Sequence, residues 1–183
     1  PLKYTKKMRD AELFRRLCES KINLPIIGFK AGGTSIPMLK KWGEKKPFYA
    51  AVYKKNLLQS NKKVKINPYT LGAELEVSYF IKKSFFDSKG VITLNNIHKH
   101  ISHRLPSIEI VGYRQRKKGL KYLGDICGDF GGNIKFLIGK KTKHTKTNSN
   151  NLKTNLSNKK NKQSVDGNTN TVYVNPLNSL KLV

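Results

Sequence analysis

The chain has 183 residues, of which 37% are hydrophobic, so it is long enough for one domain or one domain with a tail. It carries 37 Lys and Arg residues against 11 Asp and Glu residues, a formal net charge of +26 at pH 7. We expect neither a membrane span nor a secretory leader, because no apolar run reaches the roughly 18 residues of a span and no apolar signal core stands near the start.

The excess of positive charge has two explanations. A basic surface attracts nucleic acid or anionic lipid, through counterion release and long-range steering. A coding bias that favours Lys and Asn gives the same composition without any binding role. Composition alone leaves both explanations open.

The two cysteines, Cys18 and Cys127, are far apart and lack the spacing of a metal site. Two lone cysteines are typical of a reducing compartment, so we expect both thiols to be small core fillers. The expected location is the cytoplasm or the mitochondrial matrix.

The first part of the chain predicts helices and strands in alternation. Residues 5–21 form a helix with an apolar stripe of Leu13, Phe14 and Leu17 and basic residues on its other faces. It is followed by a buried strand at 24–30, a glycine turn at 31–35, a short helix that Ser35 caps, Pro37 begins and Gly43 ends, and a strand at 48–53.

The middle of the chain predicts mostly strands. Asn67 and Pro68 mark a turn, and a strand follows at 73–82. Next come a helix at 94–103 capped by Thr93, a strand at 107–113, a glycine turn at 128–133 and a strand at 134–139.

Composition changes at Lys140. Eight Lys and no acidic residue occur from there to Lys162, which predicts a long exposed loop or a disordered insert over 140–163. The remaining predictions are a hairpin turn at 165–168, a strand at 171–174 and the start of a helix in 175–183. Many strands and few helices indicate a β-rich α+β fold, with a core over 1–139 to which residues 164–183 return.

The segment GAELEVSYF carries the most informative acidic residues. Glu74 and Glu76 are two residues apart on a predicted strand, so they point to one face, and their neighbours are apolar. Glu109 lies between two isoleucines in SIEIV. Buried carboxylates need a proton or a cation, and three of them would suit Mg²⁺ or Mn²⁺. The alternative for the Glu74–Glu76 pair is a solvated strand face.

Other candidate site residues are less specific. Lys30 ends an apolar strand beside a glycine turn, where it would neutralise a carboxylate, bind an anionic substrate or simply extend to solvent. The glycine turns offer backbone N–H groups to anions but match no nucleotide-binding fingerprint. His98, His100 and His103 are more typical of a solvated basic helix than of a metal site.

Read together, five segments resemble the fumarylacetoacetate hydrolase superfamily, and within it the 2-keto-4-pentenoate (2-hydroxypentadienoate) hydratases and 4-oxalocrotonate decarboxylases. Their order and approximate spacing agree from about residue 26 to the end of the chain, with the basic segment at 140–163 as the weakest part. The segments are IIGFKAGGTS, GAELEVSYFIKK, LPSIEIVGYR, GDICGDFGGNIKFLIG and VNPLNSLKLV.

The resemblance implies a barrel-like β-rich core, usually assembled into oligomers. The sequence ends before the final C-terminal strands of the family, so we expect this core to lack them. It implies a small unsaturated 2-oxo acid as substrate, whose oxo group a divalent ion polarises before water adds or CO₂ leaves. By position, the implied metal ligands are Glu74, Glu76 and Glu109, the implied catalytic residues are Lys30 and Asp129, and the implied substrate-binding residues are Gly32, Thr34 and Ser35.

Three positions depart from the family pattern. Phe48 stands where the better-known hydratases carry an acid used for proton transfer. Asn175 replaces a histidine, and Phe130 replaces an asparagine beside Asp129.

These departures, with the high charge, keep a second hypothesis open: a degenerate relative that serves as a basic structural subunit of a large assembly such as a mitochondrial ribosome. Its lysines would then contact RNA phosphates. The candidates are Lys140, Lys141, Lys143, Lys146, Lys159 and Lys160.

Overall fold

The computed structural model describes residues 4–114, 120–146, 151–172, 176, 177 and 180. Its helices are α1 (Met8–Lys21), α2 (Ile36–Trp42), α3 (Lys83–Phe86) and α4 (Leu123–Gly128). Its strands are β1 (Ile26–Gly32), β2 (Phe48–Tyr53), β3 (Leu57–Gln59), β4 (Thr70–Ile81), β5 (Ile101–Gly112), β6 (Asn133–Ile138), β7 (Thr142–Lys143), β8 (Lys153–Asn158) and β9 (Gln163–Asn168). This content is the α+β, strand-rich class that the sequence predicts.

The largest sheet has the strand order β3-β6-β5-β4, with β7 paired to β5. The two long strands β4 and β5 run antiparallel, and Glu74 lies opposite Glu109 in their register. Strand β6 is antiparallel to β5, whereas β3 is parallel to β6. The long β4–β5 pair is therefore the platform on which the acidic side chains are placed.

A second sheet contains β1 and β2, which are antiparallel and connected through α2. The end of β1 lies against the ring of Phe48, because Gly32 has no Cβ to meet that ring. Phe48 is almost fully buried and belongs to a core cluster of residues from α1, α2, β2 and α4. The cluster consists of Ala11, Leu39, Phe48, Leu123 and Cys127.

Helix α1 exposes the apolar stripe that its sequence predicts. Leu13, Phe14 and Leu17 are 59%, 49% and 54% exposed, whereas Arg15 is fully buried. The guanidinium of Arg15 donates to Glu19 at 2.8 and 2.9 Å and lies 4.6 Å from the ring centre of Tyr49. A buried arginine needs such partners, and the face of α1 that turns inward carries Arg15 together with the buried Ala11.

Several predictions near β5 and β1 are wrong or incomplete. The predicted helix at 94–103 is a short 3₁₀ turn (Ile97–His100), and β5 begins at Ile101. Pairing with β4 extends this strand, and it overrides the helical spacing of the two buried isoleucines. The predicted buried strand at 24–30 is β1, but its apolar residues Ile26, Ile27 and Phe29 are between 43% and 47% exposed.

The Lys/Asn-rich segment over 140–163 is not a plain loop. It contains β7 and β8, and the predicted hairpin turn at 165–168 is part of β9. Backbone pairing of β8 with β9 is supported by polar side chains, since the Asn155 amide donates to Asp166 at 2.8 Å and to Ser164 at 2.6 Å.

The end of the chain is only partly described. Thr171 belongs to a 3₁₀ turn and Val172 forms a single bridge with Ser35, so these two positions are not the predicted strand. The rest of that strand, 173–174, lies outside the described residues, as do Asn175 and most of the predicted final helix.

Other predictions are confirmed. Ser35 accepts a hydrogen bond from the backbone N–H of Met38 at the start of α2, and Gly43 ends the helix with a φ of 71°. Cys127 is buried as predicted, but Cys18 is only partly buried. No helix among the described residues is long and apolar enough to cross a membrane.

Candidate metal centre and active site

Strands β4 and β5 bring three glutamates together. Glu74 and Glu76 share one face of β4 because they are two residues apart, and Glu109 lies directly across from Glu74 on β5. One carboxylate oxygen from each residue lies within 4.8 Å of the other two. The predicted convergence of the three acids is therefore a property of the fold.

The three carboxylates lie at different depths. Glu109 is fully buried, Glu76 is partly buried and Glu74 is exposed. The two oxygens of Glu109 have separate partners, since the Asn133 amide donates to Oε1 at 3.2 Å and Lys30 Nζ lies 2.9 Å from Oε2. Glu109 is thus the anchored member of the triad.

Lys30 reaches the triad from the other sheet. Its ammonium contacts Glu109 and also donates to the carbonyl oxygen of Gly131 at 3.1 Å. Gly131 has a φ of 71°, and a Cβ there would lie 2.8 Å from Lys30 Cδ. The glycine turn after α4 therefore makes room for the lysine side chain.

Burial and mutual repulsion disfavour the charged forms of these acids. Burial raises the pKa of Glu76 to about 7, with Lys30 opposing the shift and the charges of Glu109 and Glu74 adding to it. Burial also raises the pKa of Glu109, against the opposing effect of Lys30 and the Asn133 hydrogen bond.

One lysine does not balance three carboxylates. A divalent cation would supply the missing positive charge, and carboxylate oxygens are the donors that Mg²⁺, Mn²⁺ and Ca²⁺ prefer. The donor set of this chain therefore fits such an ion.

The triad opens into a cavity of about 1060 Å³. Apolar side chains from β1 and β4, including Phe29 and Phe80, form much of its wall. The predicted substrate-binding residues are in the same wall together with the triad and the lysine: Lys30, Gly32, Thr34, Ser35, Glu74, Glu76 and Glu109.

Asp129 has other partners in the structure. Its carboxylate accepts from the backbone N–H of Arg114 at 2.7 Å and from the guanidinium at 3.1 Å. The adjacent Phe130 packs against Tyr53, with 6.4 Å between ring centroids. A catalytic role for Asp129 stays a prediction. Phe48, at the family's acid position, is core.

Two polar features of the site were not predicted. Asn133, which holds Glu109, gives no local signal in the sequence. The hydroxyls of Ser78 and Ser107 lie 2.6 Å apart beside the triad. The position of Ser78 could have been predicted, because residues two apart on a strand share a face and Ser78 therefore lies on the face of Glu74 and Glu76.

The histidines do not form the predicted helical cluster. His98 Nδ1 lies 2.9 Å from Nε2 of His144, and the two rings stack. His100 contacts the Ser84 hydroxyl, and His103 is in β5 with its ring beside Phe80.

The six lysines of the RNA-binding hypothesis are exposed but separated along the chain. Lys141 lies over the ring of Phe80, 4.1 Å from its centre. The full set is Lys140, Lys141, Lys143 and Lys146 around β7, and Lys159 and Lys160 in the β8–β9 turn.

No protein-family model and no curated protein sequence matches the chain. Solved structures do match its fold. 4-Oxalocrotonate decarboxylase from Pseudomonas putida G7, complexed with magnesium and adipate, has 17% sequence identity and a TM-score of 0.70 over 96% of this chain and 68% of its own. The same enzyme complexed with calcium and acetate has 18% identity and a TM-score of 0.72 over the same shares.

A putative fumarylacetoacetate hydrolase family protein from Yersinia pestis CO92 matches more loosely, with 14% identity and a TM-score of 0.53 over 88% of this chain and 76% of its own. The chain therefore has the fold of the fumarylacetoacetate hydrolase superfamily, which confirms the predicted fold. The hypothesis of a ribonucleoprotein subunit receives no support from these comparisons.

Proposed function

We propose that the chain is a divalent-metal-dependent lyase, a hydratase or decarboxylase that acts on a small unsaturated 2-oxo acid. The observation that carries the proposal is the Glu74–Glu76–Glu109 triad with Lys30, at the wall of a cavity. The similarity in fold to a decarboxylase that binds magnesium or calcium supports it.

The metal would be held by Glu74, Glu76 and Glu109. Mg²⁺ or Mn²⁺ bound there would polarise the 2-oxo group of the substrate and stabilise the enolate that proton transfer creates. The rigid β4–β5 register keeps the three carboxylates close together before any ion binds, so little reorganisation is needed.

Lys30 has a binding and electrostatic role in this proposal. An ammonium group has three N–H donors; one is donated to the carbonyl oxygen of Gly131, and the charge forms an ion pair with Glu109. The remaining donor capacity is available to an anionic substrate in the cavity. The positive charge also favours the ionised, metal-binding form of Glu109, since it opposes the effect of burial, which raises the pKa of this carboxyl.

The turn at the end of β1 would hold the carboxylate of the substrate. Gly32, Thr34 and Ser35 line the cavity beside Lys30, and glycine lets a ligand approach the backbone N–H groups closely.

Metal titration combined with a turnover assay tests the proposal. We expect Mn²⁺ and Mg²⁺ to bind to the purified chain, with turnover of 2-hydroxypentadienoate or 4-oxalocrotonate followed by ultraviolet absorbance. Glu76→Gln should lose both metal binding and turnover. Asp87→Asn, at an exposed carboxylate outside the cavity, is the matched control and should retain both.

A wild-type chain that binds no divalent ion would overturn the proposal. Salt-sensitive RNA binding without turnover would favour the structural-subunit hypothesis instead.

A further inference from the structure

A pair of hydroxyl groups continues the row of acidic side chains along β4. Glu74, Glu76 and Ser78 are each two residues apart and share one face of the strand. On β5, Ser107 lies opposite Glu76 in the register, and its Oγ is 2.6 Å from the Oγ of Ser78. The hydroxyl pair therefore adjoins the metal-binding carboxylates on the same face of the sheet.

The two serines differ in their access to the cavity. Ser107 is 2% exposed, and its neighbours on this face include the buried Leu105 and Phe136. Ser78 is only partly buried and lines the cavity. A buried hydroxyl needs a hydrogen bond, and the bond between the two serines holds Ser78 in a defined position.

The donor count leaves one hydroxyl proton for a ligand. Two hydroxyls have two donors, and the bond between them uses one. When the buried Ser107 donates to Ser78, the proton of Ser78 is free to point into the cavity. With the opposite polarity the spare proton belongs to Ser107, next to the carboxylate of Glu76, which lies opposite Ser107 in the register, and Ser78 presents only lone pairs to the cavity. The subsite proposed here uses the first polarity.

We propose that Ser78 binds an oxygen atom of the substrate and that Ser107 positions Ser78 for this contact. Two residues of strand span about 7 Å, so this subsite lies one strand repeat from Glu76. The ligand it selects is a 2-oxo acid with a second oxygen function, a hydroxyl, carbonyl or carboxylate, near its fourth or fifth carbon. The proposal rests on the metal site of the proposed function for the position of the 2-oxo end.

Two acids of different length distinguish binding at the subsite from binding at the metal site. Oxalate ends at its second carbon and reaches only the metal, whereas 2-oxoglutarate carries a carboxylate at its fifth carbon. Binding of each acid to the Mg²⁺-loaded protein is measured by isothermal titration calorimetry. Ser78→Thr keeps the hydroxyl, and Ser78→Val has nearly the shape of the threonine variant but lacks the hydroxyl.

We expect Ser78→Val to weaken 2-oxoglutarate binding about 10- to 100-fold, the loss of one hydrogen bond to a charged group, and to leave oxalate binding unchanged. Ser78→Thr should retain most of the affinity for both acids. Ser107→Ala should weaken 2-oxoglutarate binding in the same direction, and adding it to Ser78→Val should cause no further loss, because both act through one contact.

Ser102→Ala is the control for effects on the sheet itself, since the Ser102 hydroxyl donates to the Phe80 carbonyl between β5 and β4 outside the subsite. It should change neither affinity. Equal losses for both acids, or no loss for either, would show that the serine pair only stabilises the sheet, and would overturn the subsite while leaving the metal site intact. Failure of the wild-type chain to bind metal and oxalate would overturn the proposed function and the subsite together.

Discussion

Lys30 Nζ lies 2.9 Å from Glu109 Oε2, and this contact joins two separate sheets. Lys30 belongs to the β1–β2 pair and Glu109 to the long β4–β5 pair. Both side chains are at most 9% exposed. A buried ion pair of this kind is sensitive to the loss of either partner, because the remaining charge is left without compensation.

Replacement of Lys30 by methionine should destabilise the metal-free protein by roughly 3–5 kcal/mol, since Glu109 then loses its cation. Added Mn²⁺ should recover part of this loss, because the ion supplies positive charge at the same carboxylates. Urea unfolding with EDTA and with Mn²⁺ measures both effects. Lys83→Met is the control, as Lys83 is 89% exposed and should show no measurable change. A Lys30→Met protein as stable as wild type would contradict the pairing.

Glu76 should make the stability of the metal-free protein depend on pH. Its pKa is about 7 in the folded chain and near the ordinary value of 4.5 in the unfolded chain. Between these values the folded state binds more protons, so the free energy of unfolding should fall as pH rises from about 4.5 to 7.

Glu76→Gln should remove this contribution, leaving the variant roughly 1–3 kcal/mol more stable than wild type at pH 8 without metal. The difference should shrink toward pH 5, where Glu76 is protonated in the folded protein. Urea unfolding in EDTA at the two pH values gives the comparison. A constant difference in the free energy of unfolding between variant and wild type across this pH range would contradict a partly buried Glu76 that holds a proton.

Gly131→Ala should disturb Lys30 as well as the backbone. Gly131 and Gly43 have the same φ of 71°, but of the two only Gly131 has a side chain, that of Lys30, within 3 Å of the position that an alanine Cβ would take. Both alanine variants should lose roughly 1–2 kcal/mol from the left-handed conformation. Gly131→Ala should lose roughly 1 kcal/mol more, from overpacking, and should also weaken metal binding. Equal losses of stability in the two alanine variants, with unchanged metal affinity, would show that the Lys30 side chain moves aside at no cost.

The His98–His144 contact should weaken in acid. Burial lowers the pKa of His144, with further lowering from the positive charges of His98, Arg104 and Lys82. The unfolded chain binds this proton more readily, so the contribution of His144 to stability should be present above about pH 6.5 and lost as pH falls below it.

His144→Gln removes the titrating group, so its free energy of unfolding should fall less than that of wild type between pH 7 and pH 5. His100→Gln is the control for replacing a histidine ring, since the His100 ring contacts the Ser84 hydroxyl and Phe85. Thermal unfolding at matched ionic strength measures all three proteins. Identical pH curves for wild type and His144→Gln would exclude this contribution.

The acidic residues of the site were predictable from the sequence because a strand has a period of two residues. Glu74 and Glu76 share a face in any strand that contains them, and their apolar neighbours indicate partial burial. The same reasoning identified Glu109 as an acid within an apolar strand. The boundaries of α2 were also local, since capping by Ser35 and the left-handed Gly43 depend on adjacent residues.

Only the tertiary structure decided how these residues meet. The register of β4 and β5 sets Glu109 across from Glu74, and packing between two sheets brings Lys30 to Glu109, a relationship that no local pattern contains. Long-range pairing likewise turned the expected helix at 94–103 into the start of β5 and gave strands to the segment at 140–163.

Helix α1 shows the same difference between what the local sequence determines and what the tertiary contacts decide. The sequence determined an amphipathic helix, but in the fold Arg15 is buried against Glu19 and Tyr49, whereas Leu13 and Phe14 are exposed. Periodicity and capping act over a few residues and can be read from the chain. Strand register, ion pairs between sheets and the choice of buried face depend on residues distant in sequence, and only the folded chain brings those together.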